Sequence, residues 1–155
     1  MKAFIGTFVN RLDSKGRVSV PAPFRSVLEA QGGGGRVVLV RSFKAARLDG
    51  YTTSFFDDQV LPSLYEQDLF SDESNDLAMT FLGEAEPLPL DDNGRIVLRE
   101  SLMQHAGISD QVAFLGAGLS FQVWEPKALE AEKAAAFARA RDNGLSFRPK
   151  PPAGA

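Results

Sequence analysis

The segment Leu12-Asp13-Ser14-Lys15-Gly16-Arg17-Val18-Ser19-Val20 returns 78 residues later as Leu90-Asp91-Asp92-Asn93-Gly94-Arg95-Ile96-Val97-Leu98. Leu, Asp, Gly and Arg coincide, and apolar residues match at the positions of Val18 and Val20. The flanks keep the same offset, since Phe24 falls on Leu102. Self-similarity at a fixed spacing marks a repeated supersecondary unit, and this restricts the fold more than any other feature of the chain.

Each copy reads as the same string of elements. A first strand (residues 5–12 and 83–90) enters a tight turn and leaves as a short strand (17–20 and 95–98). Lys15-Gly16 and Asn93-Gly94 suit two-residue hairpin turns, because glycine and asparagine accept positive φ. A short helix follows at 22–31 and 100–106, with Gly107 and the Gly32–Gly35 run as stops. Two further strands are expected in each copy, at 36–41 with 46–55 and at 111–115 with 120–124. Val37-Val38-Leu39-Val40 has the unbroken apolar run of a strand buried on both faces.

Helical sequence closes each copy: 61–69 with 75–82, and the alanine-rich 126–141, opened by Pro126. The expected organisation is a first repeat at 4–56, a helical connector at 57–82, a second repeat at 83–125 and a C-terminal helix at 126–143. The tail at 144–155 has nothing to bury and is expected to be disordered. One ββαββ unit leaves strand edges and an apolar face open. Two units paired about a pseudo-twofold axis can close a small barrel, giving a mainly β, α+β fold.

Charge is unevenly placed along the 155 residues. Residues 1–48 hold nine Lys/Arg and two Asp/Glu, residues 49–98 hold one basic and twelve acidic residues, and residues 99–155 are near balance. A net charge of −3 therefore hides a basic N-terminal third able to present a positive face to a phosphate backbone. No apolar run approaches the roughly 20 residues of a membrane span, and the N-terminus lacks the apolar core of a signal peptide. A cytoplasmic protein is expected.

Catalytic chemistry finds little support. There is no cysteine and one histidine, His105, which removes thiolate zinc sites, cysteine nucleophiles and paired-histidine metal sites. Asp68, Asp72, Glu73 and Asp76 lie in a polar stretch and read as a solvated acidic face. Asp91-Asp92-Asn93-Gly94 begins like a calcium loop, but Leu102 stands where the twelfth-position acid belongs. The Gly32–Gly35 run lacks the Gly-Lys-Ser/Thr of a phosphate loop. No enzyme, cofactor, metal or small-molecule ligand is expected.

Phe4, Gly6, Leu12, Asp13, Lys15, Gly16, Arg17, Ser19, Pro21, Phe24 and Arg25 together resemble the opening of the MraZ family. Leu90, Asp91, Gly94, Arg95 and Ile96, followed by His105-Ala106-Gly107-Ile108 and then Phe121 and Trp124, resemble that family's second repeat. The resemblance spans about residues 4–130. It implies two tandem swapped-hairpin, AbrB-like repeats in a regulator that binds double-stranded DNA at promoter repeats of the cell-division and cell-wall gene cluster. It also implies a ring-shaped homo-oligomer associated with the nucleoid, whose DNA contact comes from the Asp-x-x-x-Arg element of each repeat.

Carried onto this chain, the resemblance makes Lys15, Arg17, Arg95 and Arg25 the candidate DNA-contacting residues, supported by Asp13, Gly16, Asp91 and Gly94. Copy two has Arg99 and Met103 where copy one has Pro21 and Arg25, so no arginine role carries to position 103. The chemistry is specific. A two-stranded ribbon is narrow enough for a major groove, and an arginine fork can bind guanine O6 and N7 together. Lys15 suits phosphate as a mobile point charge. Asp13 would repel phosphate, so its expected work is bonding the turn backbone or orienting Arg17. The acidic stretch before the second motif makes the first hairpin the expected dominant contact. The rival reading is a protein-interaction or assembly module on the same barrel, which needs no basic turn.

Overall fold

The computed structural model describes residues 3–31, 35–66 and 68–154. Copy one contributes β1 (Thr7–Arg11), β2 (Arg17–Ser19), α1 (Ala22–Ala30), β3 (Arg36–Arg41) and β4 (Leu48–Thr52). The connector holds α2 (Thr53–Phe55), a π-helical turn (Phe56–Val60), α3 (Leu61–Leu64), α4 (Asp72–Leu77) and a second π-helical turn (Ala78–Leu82). Copy two contributes β5 (Glu86–Pro89), β6 (Arg95–Val97), α5 (Glu100–Ala106), β7 (Gln111–Gly116) and β8 (Phe121–Trp124), and α6 (Pro126–Asp142) follows. The expected α+β class with mostly antiparallel strands is the one observed. Residues 32–34 of the glycine run lie outside the described residues.

The pairing is an exchange between copies. A six-stranded antiparallel sheet runs β1-β7-β8-β4-β3-β5, and β2 pairs with β6 in a separate two-stranded ribbon. The first strand of each copy thus lies on the third strand of the other: Val9 faces Ala113 in β1–β7, and Val37 faces Leu88 in β3–β5. The order reads the same from either end. A pseudo-twofold axis therefore passes between β4 and β8, where Asp49 faces Gln122, and through the Val18–Ile96 pair of the ribbon.

This topology corrects two expectations. The ladder does not close into a barrel: among the described residues, β1 and β5 remain edges of the large sheet and the ribbon stays separate. Nor do the strands joined by each turn form a ladder of their own. β1 diverges to pair with β7, and the Asn10 side chain fills the gap it leaves, donating from Nδ2 to the Ser19 carbonyl at 2.7 Å. Three-residue strands with one partner and a side-chain substitute have no need of a second ladder.

One core serves both copies. Val18, Val20, Phe24 and Leu28 of copy one pack with Ile96, Leu98, Leu102 and Ile108 of copy two over Val37, Leu39, Val112 and Phe114 of the sheet. The run Val37–Val40 is buried on both faces, as its sequence requires: Val38 and Val40 turn outward to meet Phe56 beneath the connector. On the same outer face, α6 covers Ala113 and Trp124 through Leu129. The expected strand over 46–55 stops at Thr52. The Thr52 hydroxyl accepts from the Phe55 N–H at 3.0 Å, capping a helical stretch that begins at Thr53 and ends at Leu64, before the expected 61–69 helix would have closed. No helix among the described residues is long and apolar enough to cross a membrane.

Candidate nucleic-acid interface

The two motifs form one site. In the ribbon, Arg17 faces Val97, Val18 faces Ile96 and Ser19 faces Arg95. Each strand ends on the other copy's turn: the Val20 N–H donates to Gly94 O and the Leu98 N–H to Gly16 O, both at 2.9 Å. Val18 and Ile96 point into the core, so the alternation of a strand turns Arg17 and Arg95 to the opposite face. They are diagonal neighbours on adjacent strands, a relation that places such residues roughly 7–8 Å apart.

Each turn is longer than the expected two-residue form. The Gly16 N–H donates to Asp13 O at 3.1 Å and the Asp13 N–H to Arg17 O at 2.9 Å. Gly94, Asp91 and Arg95 repeat the pattern. These bonds enclose a three-residue loop. Only glycine takes positive φ among the described residues, at 75° for Gly16 and 74° for Gly94, so Lys15 and Asn93 keep ordinary backbone geometry. A primed two-residue turn would need positive φ at both central positions.

Asp13 organises the first turn. Its Oδ1 accepts from the Lys15 and Arg17 N–H groups, both at 2.9 Å, and its Oδ2 accepts from Arg17 Nε at 2.6 Å. Asp91 does the same for Asn93 and Arg95, with its Oδ2 3.0 Å from Arg95 Nε. Both arginines are thus held by Nε, which leaves the outer nitrogens out of the turn's own hydrogen bonds. Arg17 Nη1 and Nη2 make no hydrogen bond to another described residue, while Arg95 Nη1 lies 3.8 Å from Asp13 Oδ2. Arg17 and Arg95 keep 31% and 27% of their side-chain surface exposed, so neither is shut inside the core. Lys15 is exposed at the turn.

Arg25 is placed differently. It lies on α1 with Nη1 donating to the Val20 carbonyl at 3.0 Å, and its stem rests on the turn of the other copy. A Cβ built on Gly94 would stand 2.6 Å from Arg25 Cδ and Nη1, whereas one on Gly16 would find only Leu98 O at 3.4 Å. Both glycines carry positive φ, so alanine at either costs about 1–2 kcal/mol of left-handed strain. Gly94→Ala should cost measurably more than Gly16→Ala in urea unfolding, because it also displaces Arg25. Equal losses would show that Arg25 does not rest there in solution.

The carboxylates carry an electrostatic signature. Asp13 is lowered to about 2 from 3.8, first by the backbone hydrogen bond from Arg17, then against a smaller desolvation penalty by the Arg17 side chain and the Lys15 N–H. Asp91 is lowered chiefly by the Arg95 backbone N–H, with help from Asn93 and the Arg95 side chain. A depressed carboxyl stabilises the fold fully above its unfolded value and loses that contribution as pH falls through the folded one. For Asp13 the window runs from about 3.8 down to about 2. An NMR titration should find the Asp13 carboxylate still ionised at about pH 3. A midpoint near 3.8 would mean that the turn bonds are open in solution.

Sequence reasoning named the two motifs but did not join them, and it missed Asn10, Val20 and Leu98 as the groups that lock the turns. The polar side chain of Asn10, next to the apolar Phe8 and Val9 of the same strand, is the sign that the sequence offers. The His105 Nε2–H donates to the Ser42 carbonyl oxygen at 3.1 Å. Among the described residues no cluster of three metal-ligating side chains occurs.

A family model described as "MraZ protein, putative antitoxin-like" matches residues 81–143. Two curated relatives named "Transcriptional regulator MraZ", from Gluconacetobacter diazotrophicus and Gluconobacter oxydans, are each 43% identical to this chain. The matches cover 94% and 96% of the chain and 92% of each relative. A relative of the same name from Rickettsia bellii is 36% identical, over 96% of this chain and 98% of its own length.

Proposed function

The chain belongs to the MraZ family, and we propose that it is a sequence-specific DNA-binding transcriptional regulator whose reading head is the β2–β6 ribbon. The single observation that carries the reading is the placing of Arg17 and Arg95 as diagonal neighbours on one ribbon face, each guanidinium tied to its own turn's carboxylate through Nε. A two-stranded ribbon fits a major groove, and guanine O6 and N7 offer the paired acceptors that an arginine fork matches. Lys15 contributes phosphate contact beside it. The Asp–Arg pairs are partly exposed, and solvent screening keeps such pairs weak, so they aim the arginines without locking them against DNA.

One chain presents few cations to the backbone, and the salt sensitivity of binding scales with the phosphates neutralised. The fuller form of the proposal is a homo-oligomeric ring on tandem promoter repeats upstream of the cell-division and cell-wall genes, with the protein gathered at the nucleoid. Linked contacts of that kind raise avidity by about 10²–10⁴. The open edges of β1 and β5 and the exposed face of α6 are the surfaces available to a neighbouring copy.

A footprint on the DNA upstream of the chain's own gene, with Arg17→Ala as control, tests the reading. Protection at short, regularly spaced repeats that disappears in the variant is expected. Passage through immobilised DNA at low salt without retention would favour an assembly module instead.

A further inference from the structure

Arg25 touches the turn of the other repeat. Three groups close a small circuit there. The Val20 N–H donates to Gly94 O at 2.9 Å, the Val20 carbonyl accepts from Arg25 Nη1 at 3.0 Å, and the Arg25 stem and guanidinium lie against the missing side-chain position of Gly94. Gly94 is buried by this arrangement although Asp91, Asp92 and Asn93 around it are exposed. The pseudo-symmetric place has no counterpart. Position 103 holds a methionine that packs against the core, and Gly16 is left less covered.

We propose that Arg25 is a positioning residue, not a DNA contact: from copy one it braces the Asp91–Arg95 turn of copy two and so fixes the aim of Arg95. The proposal rests on reading the ribbon as the DNA-contacting element. Its physical basis is the division of labour between the two turns. The first is held by a 2.6 Å Arg17–Asp13 bond. In the second the corresponding bond is 3.0 Å, and Arg95 Nη1 is drawn toward a second carboxylate, Asp13. An arginine between two acids has more than one place to go, and the planar cover supplied by Arg25 keeps the backbone beneath it in one conformation. The two halves of a symmetric ribbon thereby become unequal readers, with a rigid support under the weaker one.

The test uses the full chain and a duplex selected by the wild-type protein from a random pool. Arg25→Met, which installs the residue found in copy two, should weaken binding by no more than Arg95→Ala does. The double variant should bind no more weakly than Arg95→Ala alone, and the slope of log affinity against log salt should not change. In the free protein, amide exchange at Gly94 and Arg95 should accelerate by roughly tenfold while Gly16 and Arg17 stay as they were. Losses that add in the double variant, a salt slope reduced by about 1, or unchanged exchange at Gly94 and Arg95 would overturn the brace. If Arg25→Met does not fold, Arg25→Gln is read by the same criteria, since it keeps a donor for Val20 but loses the planar cover. If Arg17→Ala and Arg95→Ala both leave binding unchanged, the DNA reading fails, and the exchange pattern still decides whether Arg25 holds the turn.

Discussion

Arg17→Ala should reduce affinity for the preferred duplex by roughly 5- to 150-fold, the equivalent of the 1–3 kcal/mol that a bidentate arginine–guanine contact contributes to discrimination. The loss should fall on one or two base positions, leaving affinity for unrelated DNA nearly intact. Arg95→Ala should do less. Arg95 stands between Asp91 at 3.0 Å and Asp13 at 3.8 Å, whereas Arg17 answers to Asp13 alone and has both outer nitrogens free of described partners. The acidic stretch that precedes the second motif in the chain lowers the local potential further, while the first motif lies in a 48-residue segment with nine basic and two acidic residues. Titrations at fixed salt compare the two variants directly. A larger loss for Arg95→Ala would reverse the assignment of the dominant contact.

Phe24→Ala should be the most damaging core substitution, destabilising the chain by about 3–5 kcal/mol. Phe24 is fully buried at the meeting point of four rings, with centroids of Phe4, Phe8, Phe121 and Phe114 at 5.2, 5.5, 5.3 and 6.4 Å. Edge-on ring contacts add to the area effect by about 0.5–1.5 kcal/mol per pair. The pseudo-equivalent residue, Leu102, has no ring to lose, so Leu102→Ala should cost less. For domains that are stable by only about 5–15 kcal/mol in total, the first variant approaches the limit of folding. Urea unfolding at a common temperature resolves the difference. A loss below about 1 kcal/mol for Phe24→Ala would mean that the rings do not pack as one cluster.

The difference between those two positions shows what sequence could and could not supply. Repetition at a spacing of 78 residues exposed the duplicated unit, and the apolar run Val37–Val40 announced a strand covered on both sides. Local chemistry was legible too: Gly16 and Gly94 at the turns, Gly107 after α5, Pro126 at the start of α6. Strand exchange was not. Nothing in Thr7–Arg11 distinguishes β2 from β7 as a partner, because an alternating strand satisfies either neighbour and the choice is settled by how the two copies bury Phe24 and Leu102 together.

The same limit explains the site. Asp13 and Arg17 are four residues apart and could be paired by inspection, but the approach of Arg95 Nη1 to Asp13 crosses 82 residues and follows only from β2–β6 register. Arg25 is a similar case. The family resemblance makes it a candidate DNA contact, and its approach to Val20 and to Gly94 of the other repeat follows only from the fold. The early end of β4 was more accessible, since Thr52-Thr53-Ser54 offers capping hydroxyls where a strand was expected to continue. The π-helical turns had no local sign. They place Phe56 and Phe81 in stacked contact at 6.1 Å, a tertiary reason that no window of sequence contains.

If the ribbon reads DNA, its two guanidiniums meet a duplex together. The Nε–H resonances of Arg17 and Arg95 report on this directly, because each is already tied to a carboxylate in the free chain. On titration with the selected duplex, both should shift and gain protection from exchange in step with complex formation, while those of Arg139 and Arg141 on α6 stay in place. Saturation of the duplex with no change at Arg17 or Arg95 would contradict the account.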